Sequence, residues 1–593
     1  MRWQCYWQNY PIISVRNLGK MREYFPILDW GLNYKRDDLT GDLTAGIIVA
    51  SLLIPQGMAY AILAGLPPEV GLYASIFPQI VYGFLGTASM LSVAPVAVDS
   101  LMVATAVSAI ATENTPEYWG YALTLALLVG IIELLIGIFR LGFIANFLSQ
   151  AVISGFISAA AILIGFSQLK HLLGIKIPQT ESFFSTVIHI IKESPNLNLV
   201  TFSLGIISLA LLLYFNRGLG KHLKSQGIQE SLIIPITKSA PLMVVIGSSI
   251  LVGLLHLDQL FGVKVIGEIP KGFPPFTIPN FDLNNIQLLG TSALAISFVG
   301  FMEAFSVGQF LASKKRKKVE ANQELIALGA SNITAAFTGG YPITGGLSRS
   351  VVNFSAGANT ALASIITALF LMLTVLFFTP LFYYLPQTSL AAIILVAVGN
   401  LLDFATLKRL WNYNKLDGIT WVSTFIAVLL TSAEQGIILG VLISLVLYLS
   451  RTSKPHIAVL GRVENTEHFR NILRHPVTTS PHILAIRIDE SLYFVNTKYL
   501  EDYLLKLVTE QKEVEYLLLV CSGINSIDGS ALETLQRLIE DLHQMKIEFY
   551  LSEVKGPIFD QLEKVGFVDK LGRDRIFLST DQAIKELSQR VSL

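Results

Sequence analysis

The chain has 593 residues, 52% of them hydrophobic and 15% charged, with a mean hydropathy of +0.57. That balance excludes an ordinary soluble enzyme and describes a polytopic membrane protein. The formal net charge is +0, and the only cysteines, Cys5 and Cys521, lie at opposite ends of the chain; no nucleic-acid partner, structural disulfide or cysteine metal site is expected.

Residues 1 to about 40 are mixed in character and end in Lys35, Arg36, Asp37 and Asp38, which reads as a solvated cytoplasmic lead-in. They hold no apolar signal-peptide core, so the first span is expected to act as the insertion signal. From Asp42 the run DLTAGIIVASLLIPQGMAYAILAGL is long enough for the roughly 30 Å hydrocarbon core. Pro55, Gln56 and Gly57 interrupt it near the middle, and a polar side chain at that depth faces either a cavity or a neighbouring helix. A second short span, LPPEVGLYASIFPQIVYGFLG, follows. In SMLSVAPVAVDSLMVATAVSAI, Pro95 closes a small-residue stretch before a helical run, so a half-helix is expected to begin there. Asp99 stands one turn inside it, where a carboxylate would offset the positive helix end.

Further spans are predicted near 119–139, 150–172, 199–214, 232–255 and 286–312. Arg217, Lys221, His222 and Lys224 follow one of them and the basic run from Lys314 to Lys318 follows another, placing both loops on the cytoplasmic side. Glu303 lies mid-span in LAISFVGFMEAFSVGQ. An ionised carboxylate is costly there, which makes Glu303 a candidate proton carrier, with a permanent ion pair to Arg349 as the structural alternative. Pro55 to Pro95 and Glu303 to Pro342 are both intervals of about forty residues, the trace of an internal repeat.

In FTGGYPITGGLSRSVVNFSAGAN, residues 337–359, the glycines and Pro342 break any spanning helix, whereas LSRSVVNFSAGA reads as a short helix starting near Gly346 or Leu347. A broken helix at membrane depth must be buried in protein or line a water-filled cavity. Its free N–H groups and positive dipole end suit an anion, with Ser348 and Arg349 beside that spot. Segments at 322–337, 362–378, 390–402 and 419–449, the last split at 432–436, bring the total to about fourteen and return the C-terminus to the cytoplasm. A transmembrane transport domain is thus expected over 41–452.

After Arg451 the pattern becomes that of a soluble domain, expected over 453–593. HILAIRI, EYLLLVC and IEFYLSE read as strands, and VNTKYLEDYLLKLVTE and SALETLQRLIEDLHQM as amphipathic helices, a small α/β layer domain. It has no glycine-rich phosphate loop, and no enzyme is expected.

The first-span sequence DLTAGIIVASLLIPQGMAYAILAGLPPEVGLYAS resembles the signature of the SulP anion-transporter family. The likeness continues at LSVAPVAV, GFMEAFSVGQFLA and PITGGLSRSVVN, and the tail resembles a STAS domain, so it covers nearly everything after about residue 38. The resemblance implies a polytopic α-helical membrane protein of about fourteen segments in a seven-plus-seven inverted repeat with two half-helices, plus a cytoplasmic STAS domain. It also implies a homodimer in the cell (inner) membrane, with both termini cytoplasmic and an elevator-like alternation. Carried over by motif, the substrate-binding residues are Gln56 and Tyr60; Pro95, Val96 and Ala97; and Leu347, Ser348 and Arg349. GGLSR stands where sulfate-type members read GSFSR, so Gly346 lacks a hydroxyl and Leu347 an aromatic ring.

Glu303 is similar to the glutamate of proton-coupled sulfate symporters. Bicarbonate carriers that use sodium have an aspartate there with nearby hydroxyls, and Ser306 is the nearest hydroxyl here. In NSIDGSALETL, the residues Asp528, Gly529 and Ser530 match the regulatory STAS loop, with glycine at the position of the phosphorylated serine and Ser530 as the remaining hydroxyl. The implied function is proton-coupled sulfate symport with no cofactor beyond the coupling ion, H+ or else Na+. The alternatives are a sodium-coupled bicarbonate symporter, an uncoupled anion exchanger or channel, and an interaction platform whose STAS domain binds a soluble partner. Expected partners are a small anion, a second copy of the chain, membrane lipid and that soluble partner.

Overall fold

The computed structural model describes residues 24–143, 149–176, 183–227, 233, 236–280, 282–431 and 433–591. Cys5, most of the lead-in and Ser432 in the expected break near 432–436 lie outside the described residues. The chain divides into two compact units, Met1–Ser444 and Leu445–Leu593.

Apart from a two-stranded ribbon, the described part of the first unit is helical. Eight described helices are long and apolar enough to cross a membrane, among them Arg36–Leu63, Pro116–Ile138 and Gln150–Leu173. Others are short or broken, so a count by span length alone falls below the expected fourteen. Leu199 and Leu254 turn their side chains outward, 71% and 75% exposed, as a surface solvated by lipid requires. The first span is a single helix, Arg36–Leu63, that continues through the interruption with Pro55 inside it. Residues on both sides of the proline are buried in protein, and neighbouring helices hold a transmembrane helix together across the missing N–H.

One order of elements recurs. A long helix, Arg36–Leu63, is followed by the shorter pair Pro68–Tyr73 and Phe77–Leu85, the strand Val93–Ala94 and the short helix Ala97–Ser108. Later come the long helix Leu283–Lys314, the shorter Ala321–Phe337, the strand Thr344–Gly345 and the short helix Leu347–Ser355. Ala321–Phe337 packs on Pro116–Ile138 at backbone distance, since a β-carbon at Gly130 would lie 2.7 Å from the Gly329 carbonyl oxygen. Small residues permit that approach where no hydrophobic effect drives helices together.

Two buried carboxylates tie down the chain around the short helices. Asp42 accepts from the Asn359 and Thr360 amides at 2.7 and 3.0 Å and from the Thr360 hydroxyl at 2.6 Å. Glu324 accepts from the Tyr82 and Thr87 hydroxyls at 2.6 and 2.5 Å and from the amides of Thr87 and Ala88 at 2.6 and 3.0 Å. Because each amide left unpaired costs about 1–3 kcal/mol, Glu324→Ala is expected to lower the melting temperature of the detergent-solubilised protein clearly. An unchanged melting curve would show that the loop before the first short helix is held by something else.

The second unit is a six-stranded sheet in the spatial order Phe469–Asn471, Ile457–Arg462, Ile483–Ile488, Tyr516–Val520, Glu548–Ser552 and Ile576–Phe577, the last four mutually parallel. The three predicted strands fall in its centre because their runs are apolar on both faces. Leu484 and Ile486 join one core cluster while Ile483 and Ala485 join another, so helices cover both sides. Cys521 ends the central strand region in full burial, and burial, with the Glu553 carboxylate, pushes its thiol up to about 12. A Cys5→Ser protein should therefore take up a maleimide only after denaturation; rapid labelling of the native chain would contradict this packing.

Candidate functional site

Pro95 and Pro342 deny helix to the residues around them, and the two extended stretches pair. Val93 lies opposite Gly345 and Ala94 opposite Thr344 in an antiparallel ribbon, continued by the Gly346 amide donating to the Ser92 carbonyl at 3.2 Å. Directly beyond it begin Ala97–Ser108 and Leu347–Ser355, with Val96 and Gly346 as caps and no side-chain capping bond at either start. Because the ribbon is antiparallel, the helices leave it in opposite directions with their starts close together. Two sets of uncapped N–H groups and two positive dipole ends converge there.

Arg349 crosses between the halves. It is 2% exposed, and its Nη1 and Nη2 donate to the carbonyls of Pro95 and Ala94 at 2.7 and 3.0 Å. Gly346 makes the room: a β-carbon there would lie 2.9 Å from Arg349 Nη2. The Ser92 amide donates to Ser350 Oγ at 2.9 Å and Asn353 Nδ2 to the Met90 carbonyl at 3.1 Å, so one face of the Leu347 helix is stitched to the opposite half. Its first turn is open on the other side, with Leu347 and Ser348 exposed.

Pro95, Val96, Ala97, Leu347, Ser348 and Arg349 are thus brought together. Tyr60 packs in the same apolar cluster as Ala94 and Ala97, and Gln56, one turn earlier on the same helix, is 4% exposed with an unpartnered Oε1. Glu303 has a buried, unpartnered Oε2, and Arg349 is the cation whose field reaches it. Among the described residues no Glu303–Arg349 contact reaches ion-pair distance; the guanidinium is engaged by backbone carbonyls. Ser306 is exposed.

Asn332 is a residue that the motif reading passed over. Its side chain accepts from the Ile343 amide at 2.8 Å and donates to the Ile343 carbonyl at 3.1 Å and to Glu133 at 2.9 Å, fixing the approach to the ribbon. The available signal was a carboxylate inside the apolar run LLVGIIELLIG. In the second unit Asp528 caps Gly529–Gln544 through the Ala531 amide at 2.8 Å and also accepts from the Phe494 amide at 2.8 Å. Gly529 and Ser530 are exposed at that helix start.

An apolar many-helix unit with two helix starts meeting at a buried arginine, joined to a separate α/β unit, defines a multi-pass membrane anion transporter. Residues 39–424 match the model of the sulfate permease family and residues 475–583 that of the STAS domain. The chain belongs to the sulfate permease family. It is 34% identical to "Sulfate transporter 4.1, chloroplastic" of Arabidopsis thaliana over 96% of this chain and 83% of that protein. It is 33% identical to "High affinity sulfate transporter 2" of Stylosanthes hamata, over 94% and 86%. Among solved structures, the murine Solute Carrier 26 family member A9 anion transporter in the inward-facing state matches with a TM-score of 0.89 at 26% identity, covering 98% of this chain and 97% of that one. The transmembrane domain of a cyanobacterial bicarbonate transporter shares the fold at a TM-score of 0.57 and 21% identity, over 70% and 98%.

Proposed function

We propose that the chain carries sulfate by symport with protons, the anion resting in front of Ala97 and Leu347. The observation that supports this most directly is the pair of uncapped helix starts on either side of the ribbon. A tetrahedral dianion has acceptor oxygens for both sets of N–H groups. Arg349 cancels the negative ends of the Ala94 and Pro95 carbonyls, which would otherwise face the anion, and adds its full charge to the field. Gln56 and Tyr60 close the site from the first long helix, with Val96 at the first helix start and Ser348 at the second. Relatives named as sulfate transporters support the choice of anion.

Glu303 supplies the proton site. Its partnerless oxygen, buried beside the arginine's field, is best satisfied by a proton, and intramembrane carboxylates mark proton relays. The chain works in this reading as a homodimer in the cell membrane with both termini in the cytoplasm, and its STAS unit answers to a soluble partner through the loop at Asp528, Gly529 and Ser530. Uptake of labelled sulfate and labelled bicarbonate into proteoliposomes under an imposed proton or sodium gradient tests the transport reading. Sulfate accumulation on a proton gradient is the expected result; bicarbonate accumulation on sodium alone would replace it.

A further inference from the structure

Asp99 is the third residue of Ala97–Ser108, one of the two helices whose starts form the site. It is 1% exposed, and neither carboxylate oxygen has a hydrogen-bond partner among the described residues. A buried carboxylate is normally satisfied, as Asp42 and Glu324 are with four donors each. Asp99 instead presses against a glycine: a β-carbon at Gly300 would lie 3.2 Å from its Oδ2. Glu303 follows three residues later on that helix, one turn along the same face.

The ionisable groups facing Asp99 are Glu303 from the Leu283 helix and Glu133 from the Pro116 helix. From the chain before the ribbon comes Tyr341, whose hydroxyl is 3.0 Å from Ser100 Oγ. The nearby cation, Arg349, is engaged by Ala94 and Pro95. An aspartate in this setting has a direct lever on the anion, because its charge sits at the positive helix end that binds it. Neutral, it leaves that end attractive; ionised, it offsets the dipole and opposes an anion.

We propose that Asp99 is a second proton-binding site of the transport cycle. It takes a proton onto Oδ from water on the side of entry, which lets the anion bind, and returns it to water on the other side, which expels the anion. This rests on the proton-coupled reading and adds to it: sulfate then moves with one proton on Glu303 and another on Asp99.

The test is the limiting sulfate gradient reached by proteoliposomes at zero membrane voltage, set by valinomycin with equal potassium on both sides, as a function of the imposed pH difference. Losing one coupled proton lowers that limit by about tenfold for each unit of pH difference. Asp99→Asn should show this loss relative to the wild type. The same limit in both proteins overturns the proposal and leaves proton coupling standing, whereas a wild type indifferent to the pH gradient overturns both. Should the variant fail to insert, infrared difference spectra of the wild type labelled with carbon-13 at the aspartate side-chain carboxyl decide the matter. A protonated-carboxyl band that shifts with the label and responds to sulfate is expected; the absence of such a band overturns the proposal.

Discussion

Arg349→Ala is expected to lower sulfate uptake by about a hundredfold or more per inserted protein, since a charge-assisted hydrogen bond contributes about 1.5–3 kcal/mol and two are removed together. The carbonyls of Ala94 and Pro95 would then turn their unpaired oxygens toward the anion. The fold should survive, because the ribbon, the Ser92–Ser350 bond and the Asn353–Met90 bond remain, although the melting temperature should drop. Arg349→Lys separates charge from geometry: one ammonium keeps the field but cannot reproduce the planar fork across two successive carbonyls, so a partial loss is expected. Gly346→Ala approaches the same place from the other side by displacing the guanidinium, and should impair uptake with the arginine still present. Initial rates of labelled sulfate uptake, normalised to the protein in each vesicle preparation, check all three. Uptake at the wild-type rate by Arg349→Ala would remove the arginine from the site.

The start of the second short helix was legible in the sequence because Pro342 and paired glycines break helix up to that point, and it falls at Leu347 after the Gly346 cap. The ribbon before it was not legible. Two-residue strands carry no alternation, and their pairing joins Ala94 to Thr344 across the chain. Arg349 was marked by its charge in apolar surroundings, yet its partners are main-chain oxygens 254 and 255 residues away, which no side-chain pattern encodes. At Pro55 the single span read from the apolar run holds, because burial on both sides offsets the local helix penalty. The helices Phe183–Glu193 and Phe404–Tyr413 escaped because each mixes apolar and polar residues over too few turns to read as a span. In the second unit the central strands announced themselves as apolar runs, while the edge strands Phe469–Asn471 and Ile576–Phe577 are too short to do so.

Glu303→Gln should separate movement of the anion from its coupling. Glutamine keeps the length and the hydrogen-bonding capacity of the neutral acid but can neither release nor capture a proton. If Glu303 must be protonated for the loaded site to change sides and deprotonated for the empty one to return, the variant is fixed in the first of these forms. It should then reach a limiting sulfate gradient about tenfold lower for each unit of pH difference, the share carried by the Glu303 proton, and keep part of the downhill exchange of sulfate for sulfate, since a ligand-independent charge no longer holds either state. The sign of the pH response follows: with the proton as co-substrate, wild-type uptake rises as external pH falls, and the variant's profile is expected to be much flatter. Paired measurements of net accumulation and isotope exchange in one vesicle preparation distinguish this from simple inactivation, in which both would vanish. A Glu303→Gln protein that still concentrates sulfate on a proton gradient as the wild type does would show that the coupling proton resides elsewhere, with Asp99 the first place to look.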